Sequence, residues 1–193
     1  MKKYCSSKGP ALRNSKGFTL PELIVSLFIF SLAILGAVSL LISAIGVQRR
    51  AGAQQELMDQ ASYLAEYMSR ALRQAQKDLT GACLTTVGAG FNYEITLGGQ
   101  GIKFINRLGQ CQEFFLDAQR VKERISPQES YITSGNLQVT LLGFSVSGAG
   151  QGDNFQPKAT FAVELKGKVL QAGFQPVTRI QTTVSQRNID IPN

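Results

Sequence analysis

From Phe18 to Val47 the chain carries one charge, Glu22, and five hydroxyls, Thr19, Ser26, Ser31, Ser39 and Ser43, in an otherwise apolar run. A bilayer core needs about 20 apolar residues as a helix, so this run is long enough to span. It is also longer than the roughly 7–15 residues of a conventional secretory h-region. No breaker ends it. Beyond Arg49-Arg50, apolar residues recur every three or four positions: Leu57, Ala61, Leu64, Met68, Leu72, Ala75 and Leu79. That is one stripe of an amphipathic helix. The pattern predicts a single helix over about 19–79, hydrophobic all round in its first half and on one side in its second. Thr80-Gly81 is expected to stop it, with glycine in the left-handed C′ position.

After Gly81 the period changes to two. Phe91, Tyr93, Ile95 and Leu97 alternate with Asn92, Glu94 and Thr96, as in a half-buried strand. Gly98–Gly101 and Arg107–Gln110 read as turns around strands Ile102–Asn106 and Cys111–Leu116. Leu137–Val146, Ala159–Lys166 and Val177–Ser185 read as later strands, with Gly143 a candidate bulge. Ser126–Gln128 and Gln151–Gln156 read as mobile loops. The expected fold class is α+β: a long helix whose second half packs on one antiparallel sheet.

Charge divides the chain further. Lys2, Lys3, Lys8, Arg13 and Lys16 precede the apolar run, with no acid among residues 1–17. The positive-inside rule places that leader in the cytoplasm and everything after about residue 45 on the far side. Of 20 Lys/Arg, removing those five leaves 15 against 13 Asp/Glu, so the net charge falls from +7 to +2. The basic balance is therefore topogenic and poor support for nucleic-acid binding. Four segments are expected: a leader over 1–17, a membrane-spanning half of the helix over 18–47, its amphipathic half over 48–80, and an exported β-rich domain over 81–193. The location expected is the cytoplasmic (inner) membrane, crossed once with the N-terminus inside.

Glu22 is the anomaly. A carboxylate at the centre of a membrane helix costs about 2.5–3.5 kcal/mol, and such residues are usually functional. Either it hydrates at the interface, or it has a partner that the chain itself does not supply. Pro21 suits a first helical turn, where its missing N–H costs nothing.

Gly17-Phe18-Thr19-Leu20-Pro21-Glu22, between a basic leader and an apolar helix, resembles the prepilin signal of type IV pilins and type II secretion pseudopilins. The likeness covers roughly residues 13–45; beyond that it is one of architecture. Pro21 departs from the aliphatic residue more usual in the family. The resemblance implies cleavage by a prepilin peptidase between Gly17 and Phe18, N-methylation of Phe18, and a salt bridge from Glu22 to the terminal amine of a neighbouring subunit. It implies as partners that peptidase, other pilin subunits in a homo- or hetero-filament, an inner-membrane assembly platform, and the lipid bilayer before assembly. The mature chain would then reside in a pilus or in a periplasmic or extracellular filament. The alternatives are a type II secretion pseudopilin and an uncleaved, membrane-anchored exported binding protein. A cysteine pair early in the sheet, rather than around a C-terminal loop, favours a minor pilin or pseudopilin.

Of three cysteines, Cys5 lies in the leader; Cys83 and Cys111 remain as an even pair in a domain expected to be exported. A Cys83–Cys111 disulfide is expected, against the alternative of two buried free thiols. The absence of histidine removes the commonest general base and zinc ligand. No phosphate-binding loop or nucleophile elbow is present, and no cofactor is expected. The reading is of a non-enzyme. Asp153, Asn154 and backbone carbonyls of the glycine-rich loop 148–154 could hold calcium, but that ion takes about six to eight oxygens and one Asp is thin, so a mobile hairpin is favoured. Arg120, Lys122 and Arg124 alternate and would share a strand face. A solvated, charge-protected edge strand is favoured there over phosphate binding.

Overall fold

The computed structural model describes residues 17–149, 155–167 and 173–187. The chain forms two compact units, one ending at Gly46 and one beginning at Val47. Helix α1 spans Leu20–Arg73.

The stripe read from the sequence is the one that is buried: Leu57, Ala61, Leu64, Met68, Leu72 and Ala75 are all nearly inaccessible. Its last member is a correction. Leu79 is exposed, because the helix ends six residues before the expected 79. Neither proline nor glycine stops it. The last turn tightens, with Gln74 N–H donating to Ala71 O at 3.1 Å and Ala75 N–H to Leu72 O at 3.2 Å. Outside groups then take the terminal carbonyls that a helix leaves unpaired. Tyr93 OH donates to Leu72 O at 2.7 Å, Arg187 N–H to Arg73 O at 2.8 Å, and Gln186 Nε2 to Ala75 O at 2.6 Å. Gln76 meanwhile bridges to Ile105 as an isolated β-pair. Gly81 has the left-handed φ of +71°, but in a turn beyond the helix.

The β-region is two sheets rather than one. Strands β1 (Glu94–Thr96), β2 (Gly101–Ile105), β3 (Cys111–Asp117), β4 (Arg120–Ile125) and β5 (Gln128–Tyr131) form a five-stranded antiparallel meander. Strands β6 (Gln138–Ser147), β7 (Lys158–Lys166) and β8 (Val177–Ser185) form a second meander of three. Alternation gives a strand its faces but not its sheet. Between β5 and β6, Thr133 Oγ1 and Gln119 O accept the N–H groups of Val121 and Val139. The chain thereby leaves the first sheet.

Three local expectations also change. The strand expected from Phe91 is only Glu94–Thr96, because Phe91 O accepts from Asp78 N–H at 2.8 Å. Gly143 pairs in regular register with Ala162; the irregularity lies between Val139 and Leu141. Ser126-Pro127, a cis peptide, makes the turn from β4 into β5, and Gln128 is already in the strand. Loop 151–156 lies outside the described residues except for Phe155 and Gln156.

The helix stripe, both sheets and their aromatic residues share one core. Phe104 and Phe114 from the first sheet and Phe161, Val163 and Leu165 from the second join Leu64, Met68 and Leu72 in a single cluster. Burying each such side chain is worth about 1.5–3 kcal/mol.

Candidate assembly interface

The first half of α1 is the opposite case. Within it lies an 18-residue apolar window of mean hydropathy 2.6, none of it buried. Phe18 is 78% exposed, Phe28 64% and Leu40 72%. At about 1.5–3 kcal/mol per large side chain, water is not a tolerable neighbour for such a surface. Lipid or other protein must cover it. The backbone is ready for that: its hydroxyls turn inward. Ser26 Oγ donates to Glu22 O at 2.7 Å, Ser31 to Leu27 O at 2.8 Å, Ser39 to Gly36 O at 2.8 Å and Ser43 to Ser39 O at 3.0 Å. These bonds hide polar groups that an apolar environment would penalise.

The start of the helix explains where Glu22 sits. Thr19 O accepts the first helical bond, from Leu23 N–H at 3.1 Å, so Thr19 is the N-cap. Thr19 Oγ1 donates to Glu22 Oε2 at 3.4 Å, a loose tie between the cap and the third helical residue. Thr-x-x-Glu is the sequence signature of a capping box, although here the two side chains meet each other. That signal is legible in the sequence. It tethers Glu22 beside the chain start, where a negative charge favours the helix N-terminus. Glu22 shares a face with Phe18, Pro21, Val25, Ser26 and Ile29, which line a shallow groove of about 500 Å³. An acid facing an apolar groove is a demand for a cationic partner. No cation lies near it among the described residues.

The C-terminal domain offers stability rather than chemistry. Cys83 and Cys111 form a disulfide, with their Cα atoms 5.5 Å apart. Cys83 is placed by Asp78, a residue to which the sequence reading gave no role. The Asp78 side chain is fully buried, with no ion pair among the described residues. Its Oδ1 accepts from Thr80 N–H, Thr80 Oγ1 and Gly81 N–H at 3.0, 3.0 and 2.8 Å. Its Oδ2 accepts from Cys83 and Leu84 N–H, both at 2.9 Å. Burial alone would push the carboxyl up; the bonds from Leu84, Cys83, Thr80 and Gly81 outweigh it and hold it at about 2. Asp-x-Thr-Gly is an Asx-turn signal, so this too was readable.

Arg120, Lys122 and Arg124 do lie on β4, but they are not a free basic patch. Lys122 pairs with Glu129 at 2.7 Å and Asp117 at 3.4 Å; Arg124 pairs with Glu129 at 2.6 Å and Glu113 at 2.8 Å. Arg120 and Lys122 also cover the Tyr131 ring, at 3.9 and 5.2 Å from its centroid. Hydrogen bonds from Lys122 and then Arg124 hold Glu129 below the ordinary carboxylate range. Their charge is spent on neighbouring strands, leaving little for phosphate. From α1, Tyr67 OH donates to the buried Glu123 of β4 at 2.9 and 3.0 Å; burial and that bond push the phenol up to about 12. Asp153 and Asn154 lie outside the described residues. Among the described residues there is no cluster of three or more metal-ligating side chains.

Two structural classes of surface therefore meet in one chain: an uncovered apolar helix opened by a capped acid, and a stapled α+β domain. Residues 12–38 match the family model described as the prokaryotic N-terminal methylation motif. Among curated proteins and solved structures no significant match to the chain is found. The chain thus carries a prepilin signal of the type IV pilin and pseudopilin kind on a pilin-like architecture. The motif implies processing by prepilin peptidase and assembly with other pilins. With the apolar helix, it fits membrane anchoring before assembly. This is a structural subunit, not an enzyme.

Proposed function

We propose that the protein is a filament subunit of a type IV pilus or a pilus-like filament, cut between Gly17 and Phe18 and N-methylated on Phe18. The observation that carries this is a coincidence within one segment. The methylation motif at 12–38 overlies a helix start whose acid, Glu22, is tied to its own N-cap and has no cation partner among the described residues. Before assembly, residues 18–47 anchor the chain in the cytoplasmic membrane, leader inside. In the filament the same residues bundle into a dry core. Glu22 there neutralises the terminal amine of a neighbouring Phe18, which removes the cost of an unpaired acid in apolar surroundings. Residues 48–193 form the part outside the membrane.

N-terminal mass analysis of membrane-extracted protein tests the processing. Methyl-Phe18 is expected; a retained Met1 points instead to an uncleaved anchored binding protein. Glu22→Val is expected to leave insertion and cleavage intact and to abolish assembly. Normal filaments from that variant, with wild type absent, would remove the assigned role. The placement of the disulfide ahead of most of the sheet, joining the residue after Asp78's turn to β3, favours a minor pilin or a pseudopilin within this class.

A further inference from the structure

The solvent face of α1 beyond the membrane segment is charge-segregated. Opposite the buried stripe runs a ridge of Glu56, Asp59, Tyr63, Glu66, Arg70 and Arg73, each exposed. At about 100° per residue, the mean directions of ridge and stripe lie about 170° apart. Acids occupy its N-terminal part and bases its C-terminal part. Arg70 pairs with Glu66 in an exposed intrahelical bridge. Glu56, Asp59 and Arg73 have no side-chain partner among the described residues. Arg107, from the β2–β3 turn, stands with Arg70 on the wall of a groove of about 490 Å³ and adds to the basic end.

The spacing is specific. Arg70 follows Glu56 by fourteen residues, and Arg73 follows Asp59 by fourteen. A shift of fourteen residues is about 21 Å along a helix and falls only about 40° short of four full turns. A second helix displaced by that amount along the first therefore sets both acids against both arginines at once. We propose that this ridge is a docking surface for a second copy of the chain, parallel and staggered by about 21 Å.

An antiparallel copy would also match charges, pairing Glu56 with Arg73. Anchoring excludes it, since every copy enters the membrane by the same N-terminal segment. The inference rests on the filament reading above, and adds to it a condition. Subunits in a flat membrane share one height, so the stagger is out of reach. It becomes available when one subunit is drawn up past another. The ridge thus engages during assembly and helps fix the axial step, while Glu22 acts at the other end of the helix. Exposed pairs contribute modestly and are salt-screened, so the contact specifies register more than it adds affinity.

The test uses the full-length protein in its own host with its assembly machinery. Three charge-reversed variants are compared with wild type: E56R/D59R, R70E/R73E and the fourfold combination. Each half-reversal is expected to lower sheared filament at least about tenfold per contact, or 1.4 kcal/mol, with Phe18 processing unchanged. The fourfold variant is expected to recover most of the loss, because it restores opposite charges at every fourteen-residue pair. Asp59 and Arg73 lie on the ridge at this spacing, and replacing them leaves the Glu56–Arg70 pair in place. D59C/R73C filaments are expected to form intersubunit disulfides between those positions, and membrane-resident precursor is not. Half-reversals that assemble normally, a fourfold variant as defective as its halves, or crosslinks to a different protein overturn the proposal. If E56R/D59R fails to melt like wild type, E56Q/D59Q replaces it, with assembly expected to fall. Wild type that retains Met1 and sheds no filament defeats the filament reading itself. Methyl-Phe18 filaments indifferent to the reversals defeat only the ridge.

Discussion

Replacing Asp78 by Asn probes a buried charge that its own turn satisfies, with four backbone N–H groups and the Thr80 hydroxyl. The carboxylate accepts five hydrogen bonds, three on Oδ1 and two on Oδ2. An amide keeps the shape but presents –NH₂ to one set of donors. With the amide nitrogen toward Cys83 and Leu84, two buried N–H groups lose their acceptor. Each charge-assisted bond is worth about 1.5–3 kcal/mol, so the expected loss is roughly 3–5 kcal/mol. In a domain of this size that lowers the melting temperature by on the order of 10 °C. The acid dependence gives an independent check. The folded carboxyl sits at about 2, below the ordinary aspartate value of about 3.9. A depressed carboxyl stabilises fully above its unfolded value, and that contribution is lost as pH falls from about 4 through 2. The full difference corresponds to about 2 kcal/mol. Because Asp78 lies directly under the exposed turn at Leu79 and Thr80, about 1 kcal/mol is a fair figure after screening. Urea unfolding of detergent-solubilised protein between pH 5 and 2 is the assay. Wild type should lose stability across that window more steeply than Asp78→Asn. Equal acid slopes, or a variant as stable as wild type at pH 7, would refute this account of the turn.

Two further outcomes are expected. Reduction of Cys83–Cys111, or its replacement by two serines, should cost about 2–5 kcal/mol and be visible as a melting shift between reducing and non-reducing conditions. Leu64→Ala, at the centre of the buried stripe, should cost about 2–5 kcal/mol in urea unfolding, whereas the same change at exposed Leu79 should be nearly silent.

The helix end shows how far local pattern reaches. Ala75 and Leu79 are equally good members of a helical stripe on paper, yet one is buried after the helix has ended and the other is in solvent. What stopped the helix was remote: Tyr93, Gln186 and Arg187 arrive from 20 to more than 100 residues away to take its carbonyls. Similarly, alternation at Arg120, Lys122 and Arg124 identified a strand face correctly, but the acids that pair with Lys122 and Arg124 come from β3 and β5.

By itself the sequence determined the parts whose physics is local. These are the basic leader, the apolar run with its single acid, the stripe from Leu57 to Leu72, and strands β2, β3, β6, β7 and β8 to within a residue or two. Periodicity and transfer energy act over a few neighbouring residues, so they can be read in order along the chain. Tertiary structure alone decided where the helix stops, that the strands divide into two sheets, how Asp78 is made tolerable inside, and which arginines are already paired. Those outcomes depend on groups distant in sequence competing for the same hydrogen bonds and the same core. Only folding brings such groups together.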